Sequence, residues 1–189
     1  MMKKWSQVLM AGSLAATAAV AGQDGGTASA PVMEMPKPTP ELAQLQFFEG
    51  NWRCQGTQPA MRSKPAIPFK SSMKFSRQLG GHWFSAAYQQ ETSLPEILGM
   101  DALGYWGYDT TVKAFVMVAS DNAGGFTQAS SPGWKGDEFV WTGEIHGGGH
   151  KIPFRRVLTR TGEKAFKARW QYHLPNGQWR DGDEDRCTR

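Results

Sequence analysis

The chain has 189 residues, with 21 Lys and Arg against 17 Asp and Glu, a formal net charge of +4. Two of those charges, Lys3 and Lys4, sit at the extreme N-terminus, and the other bases are scattered. The concentrated basic face that nucleic-acid binding needs is therefore not expected.

Residues 1–21 read as a secretory signal. Lys3 and Lys4 supply the positive start, and Val8 to Val20 is apolar or small. That run is too short and too rich in Ala and Gly for a membrane span. Ala19-Val20-Ala21 is a cleavage site, and Ala28-Ser29-Ala30 places a second at residue 30. Cleavage after Ala21 removes two bases and no acid, leaving +2. No cysteine adjoins either site, so no lipid or membrane anchor is expected. The expected location is periplasmic or secreted. Residues 22–38, rich in Gly, Thr, Ser and Pro, read as a flexible linker. Residues 39–189 are long enough for one domain with a single substantial core.

Thr39-Pro40-Glu41 has the form of a helix start: a capping residue, a proline at the first helical position and an acid near the positive dipole end. Leu42, Leu45 and Phe48 follow on one side, and Gly50 ends this short helix. After Gly50 the helical period disappears. Segments rich in Trp, Phe, Tyr, Val and Thr recur between turn residues such as Gly80-Gly81, Gly147-Gly148-Gly149 and Pro175-Asn176-Gly177. This recurrence predicts about ten strands, near 50–57, 67–79, 82–91, 101–108, 113–121, 125–130, 137–146, 150–160, 164–174 and 178–188. Most connections are hairpin-length, so sequential strands should be antiparallel neighbours. Closing such a meander into an up-and-down barrel removes its exposed edges.

Alternation identifies the inner faces. Phe69, Met73, Phe75 and Leu79 share one face with Ser71 and Arg77. Phe166, Ala168, Trp170, Tyr172 and Leu174 share another. Around Phe115-Val116-Met117-Val118 both faces are apolar, so the short helix or a partner subunit should cover that wall.

Cys54 near the start of the strands and Cys187 at their end are the only cysteines. In an exported chain they are read first as one disulfide joining the first strand to the last; two free thiols are the alternative.

Gly50-Asn51-Trp52 on the first strand, just after a short helix, resembles the lipocalin-like or calycin barrels. The resemblance implies that Trp52 closes one end, with Arg186 or Arg189 of the last strand stacked on it. A closer resemblance covers almost all of the expected mature chain. It rests on Lys37-Pro38-Thr39-Pro40-Glu41-Leu42, Phe48-x-Gly50-x-Trp52 and Leu103-Gly104-Tyr105-Trp106-Gly107-Tyr108-Asp109. Asp121-Asn122-Ala123-Gly124-Gly125, Ser131-Pro132-Gly133-Trp134-x-Gly136-Asp137 and Cys187-x-Arg189 complete it. These stretches resemble a bacterial family of unknown function, DUF1579, which implies a lipocalin-like barrel and supplies no activity. Haem-binding nitrobindin-type barrels are more distant architectural relatives and imply that such a barrel can hold a cofactor.

Candidate chemistry is sparse. His146-Gly147-Gly148-Gly149-His150 has the look of a metal clip without a third ligand, and an idle turn is the better reading. His173 shares its face with Lys167, Arg169 and Gln171, away from an apolar lumen; His82 shares parity with Phe84 and Tyr88 but starts its strand. The acidic run Asp181-Gly182-Asp183-Glu184-Asp185 lacks calcium-loop spacing and should split between the two strand faces. No nucleophile or phosphate-binding motif occurs, so an enzyme is the least favoured reading. No cofactor and no metal are expected.

What remains is an aromatic interior. Phe75, Phe84, Tyr88, Trp106, Phe115, Trp141, Phe154, Trp170 and Tyr172 can all point inward, with Arg77 and Arg156 on apolar parities. Aromatic walls with a few polar anchors describe a small-molecule pocket. Ten strands leave more room than side chains of an eight-stranded barrel would fill. The expectation is an all-β, lipocalin-like barrel holding a small, largely apolar molecule, with an anionic end met by Arg77 or Arg156. Two alternatives stand beside it. One is a haem barrel. The other is a filled barrel binding a protein through a rim of Asp121-Asn122 and Ser131-Pro132-Gly133-Trp134.

Overall fold

A computed structural model describes residues 34–60, 65–91 and 99–189. The expected signal segment and the linker up to residue 33 lie outside the described residues.

Eleven strands follow one short helical segment, Pro40–Phe48. They are β1 (Gly50–Gln58), β2 (Ile67–Gln78), β3 (Trp83–Glu91), β4 (Asp101–Asp109), β5 (Ala114–Asp121) and β6 (Phe126–Ser131). Then come β7 (Trp134–Lys135), β8 (Glu138–Gly147), β9 (His150–Gly162), β10 (Ala165–His173) and β11 (Trp179–Thr188). Neighbours in sequence pair antiparallel from β1 to β6 and from β7 to β11. β6 also pairs with β8, and β1 with β11, and these two joins close the ring. The two-residue β7 hangs on β8 as a small ribbon, where the sequence reads as a turn. Ten strands therefore form a closed antiparallel wall without a free edge.

Cys54 stands directly opposite Cys187 in the β1–β11 register, and the two form a disulfide across a sequence separation of 133 residues. Next to it lies the contact expected of the first tryptophan. The Arg189 guanidinium sits 4.7 Å from the centre of the Trp52 ring, and it donates to the Glu49 carbonyl. Arg186 does not take this part. Its side chain is largely exposed on the outer face, 3.6 Å from Glu184. Gly50 makes the close approach possible: its φ of 118° suits glycine, and Arg189 packs 3.5 Å from where a Cβ would stand.

Pro40–Phe48 is a 3-10 helix, and Thr39 makes no side-chain capping bond. Its apolar residues explain the geometry. Leu42, Leu45 and Phe48 recur every third residue, which aligns them on one edge when the helix has three residues per turn. That edge enters the barrel end. Phe48 packs on Phe75, Trp106 and Phe166 at ring distances of 5.7, 5.4 and 5.7 Å and stacks on Trp134 at 5.4 Å. The Trp134 indole N–H donates to the Gln44 carbonyl at 2.9 Å, fixing the helix to the β7 ribbon. The helix is thus a plug. It is not the cover expected for the outer wall of β4 and β5, where Leu103, Tyr105 and Val118 are exposed among the described residues; the alternative of a partner subunit there is untouched by this. Leu79 also departs from its expected inner face. It sits in the β2–β3 turn with φ 49° and is exposed.

Replacing Cys54 and Cys187 together by Ala should lower unfolding free energy by about 2–4 kcal/mol. Urea denaturation of the oxidised protein and the double variant measures this, and an equal stability would remove the clasp from any role in the fold.

Candidate functional site

The plug fills only one end of the barrel. At the other end lies a cavity of about 1250 Å³, lined among the described residues by side chains of β1 to β6 and β8 to β11. Phe75 and Trp106 belong both to the packed core and to the cavity wall, marking the boundary between the two halves. Of the eleven residues expected to line a pocket, Phe75, Tyr88, Trp106, Arg156, Trp170 and Tyr172 do so. The other five do not. Phe84, Phe115, Trp141 and Phe154 are fully buried in packed core. Arg77 lies at the plugged end, 3.2 Å from the Glu49 carboxylate and over the Phe84 ring. Its parity is inward, but the strand end carries it past the lumen to the rim.

Arg156 defines the cavity floor. It rises from β9 and its Nη2 reaches the Met73 sulfur on β2 at 3.8 Å, although four strand steps separate β9 from β2. The guanidinium therefore crosses the lumen. It also stacks 4.9 Å over the Trp170 ring. Its Nε is buried without a partner, and among the described residues no carboxylate lies within 4 Å of it.

Two acids join it from β11. Alternation out from Cys187 turns Asp185 and Asp183 inward, while Glu184 faces out and binds Lys167 at 3.1 Å. Asp185 is 1% exposed and its Oδ1 has no partner. It fits over Gly56, where a Cβ would meet that oxygen at 2.4 Å and the Phe69 ring at 2.3 Å. A side chain at Gly56 would close the space. Asp183 lines the cavity itself. Ser71 is buried nearby on β2 with an unpartnered hydroxyl.

Burial dominates the electrostatics here. It pushes the Asp185 carboxyl up to about 6, with Arg156 pulling against it and Asp183 adding to it. Asp183 is raised for the same leading reason. Tyr172 is pushed up to about 12 by burial and then by Asp183; Tyr88 rises through burial and then Asp185. Arg156 is lowered by burial against the support of both carboxylates. Asp183, Tyr88, Tyr172 and Arg156 line the cavity with Asp185 buried beside them, and ionisable groups displaced together mark a candidate site.

Sequence reasoning passed over Asp183 and Asp185 because they lie in an acidic run, which reads as a solvated edge. The signal was present: fixing Cys187 inward fixes every second residue before it. The histidines lie elsewhere. His82 donates to the Pro36 carbonyl at 2.9 Å at the plugged end, and His146 pairs with Glu144 at 3.3 Å. His150 and His173 border the cavity at its hairpins, with His173 against Trp179. Among the described residues no three His, Cys, Asp or Glu side chains are grouped to hold a metal ion. The expected protein-binding rim is not one surface. Asp121 and Asn122 lie at the open end, Ser131 and Trp134 at the plugged end, and Trp134 is clamped beneath Arg160 at 4.3 Å.

Residues 37–189 match a family described as "Protein of unknown function (DUF1579)". The chain belongs to the DUF1579 family. The crystal structure of Rv2717c from M. tuberculosis is similar in fold to this DUF1579 barrel, with a TM-score of 0.59 and 13% identity. The match covers 81% of this chain and 99% of that one. No curated protein matches the sequence.

Asp185 makes the fold sensitive to pH in a stated direction. Its ordinary value is 3.8 and its folded value about 6, so between those values the folded state holds more protons than the unfolded one. Stability is then highest below the lower value and falls as pH rises through about 6. Asp185→Asn should flatten that slope and stabilise the protein at pH 7.5 by up to about 3 kcal/mol. Urea midpoints of both proteins at pH 4.5 and 7.5 test this; a variant less stable at pH 7.5 would mean the ionised carboxyl is stabilising.

Proposed function

We propose that this protein is an exported, lipocalin-like small-molecule-binding barrel that holds a largely apolar ligand in its open half. The observation that carries the reading is the cavity of about 1250 Å³, walled by Phe75, Tyr88, Trp106, Trp170 and Tyr172 over the Arg156 floor. Large aromatic walls with a few convergent polar groups are the composition of small-molecule sites. The unpartnered, buried Nε of Arg156 in the cavity wall supports it further, because buried polar groups without partners are rare. The lipocalin-like part rests on Trp52 and Arg189, which make the closing contact that such barrels imply. Export rests on the N-terminal signal pattern and fits the disulfide.

Ligand retention is the direct test. Native mass spectrometry of the protein purified from its own cells should show extra mass that disappears on denaturation. Ala119→Phe, which places a ring in the cavity, should abolish the extra mass while the disulfide and the circular dichroism stay unchanged. Bare polypeptide mass from freshly purified wild-type protein would count against a tightly held ligand. Arg77→Met should leave any bound mass in place, because Arg77 is engaged with Glu49 away from the cavity.

A further inference from the structure

The sign of the ligand's polar end follows from the charges at the deep end of the cavity, on the reading that the cavity binds a small molecule. The full set around Asp185 can be named. β11 contributes Asp183 and Asp185, β9 contributes Arg156, β3 contributes Tyr88 and β10 contributes Tyr172. The elements directly beside Asp185 add no charge: its register partners are Gly56 on β1 and Ala168 on β10, and the Phe69 ring approaches from β2. With ionised carboxylates the group holds one cation and two anions. Buried ions need partners, and Arg156 is not in contact with either acid. The site is thus one positive charge short, and the unbalanced carboxylate of Asp183 faces the cavity. Beside Asp183 the lining carries the Tyr88, Trp106 and Tyr172 rings, and aromatic faces attract cations. The other charged side chains of the lining, Lys151 and Arg180 against Asp121 and Asp181, balance one another.

We propose that the deep end of the cavity is a site for a cationic ammonium group carried on an apolar body, with Asp183 as its counter-ion and the aromatic wall around it. An anionic end would add a third negative charge to the floor. A neutral end would leave the imbalance in place. Ionisation of the carboxyls strengthens the site, so ammonium binding should increase from pH 5 to pH 7.5, a range in which an alkylamine stays protonated.

The test uses three probes with one chain length: decylammonium, decanol and decane-1-sulfonate, each titrated into the full-length mature protein by calorimetry at pH 7.5. Decylammonium should bind at least tenfold more tightly than decanol, and decane-1-sulfonate most weakly. Asp183→Asn should remove that advantage while decanol binding stays unchanged. Glu184→Gln, the neighbouring acid on the outer face, should change neither, which separates a cavity counter-ion from general surface attraction. Sulfonate or decanol binding as tightly as decylammonium overturns the inference and leaves the binding barrel standing. An ammonium preference that survives Asp183→Asn also overturns it. Failure of all three probes to bind would sink the small-molecule reading together with this one.

Discussion

Ten antiparallel strands enclose a wider lumen than their own inward side chains fill, and that mismatch governs the molecule. One end is made solid by a segment from outside the sheet. Leu42, Leu45 and Phe48 enter along one helix edge and meet Trp106, Phe139 and Phe166. No equivalent segment enters the other end among the described residues, and there the lumen stays hollow. Arg156 marks the transition, lying across the lumen between Trp170 and Met73.

The hollow half costs stability where the plugged half supplies it. Core packing at the plug is dense and aromatic, with Trp52, Phe48, Phe139 and Phe166 at most 1% exposed. Beneath the cavity, a guanidinium and a carboxyl are buried with unpartnered atoms, a combination that disfavours folding unless something else satisfies them. The two halves of the barrel are therefore chemically distinct, although every strand runs through both.

Architecture was legible in the sequence because it rests on period and punctuation. Alternation and turn residues place all ten long strands within a few positions of where they form, and the two cysteines identify the seam. A short helical segment was also legible in the spacing of Leu42, Leu45 and Phe48, but its 3-10 type was not, because three such positions suit either helix. The site was legible only in part. Parity says which side chains point inward, but not how far along the barrel each one sits. Arg77 and Arg156 have the same inward parity, yet one ends at the rim beside Glu49 and the other crosses the lumen. Phe84 and Tyr88 share a strand face, but only Tyr88 reaches the hollow half. Depth depends on strand stagger and on the plug, which are properties of the assembled ring.

The disulfide adds a covalent link where the ring's first and last strands are otherwise held by hydrogen bonds and side-chain packing. A ring clasped covalently at its seam cannot part there. Anything in the lumen, blocked below by the plug, must leave past the hairpins at the mouth. Access to the lumen is then set around His150, Pro153, Pro175 and Arg180, and sequence changes there will alter it without touching the seam or the plug.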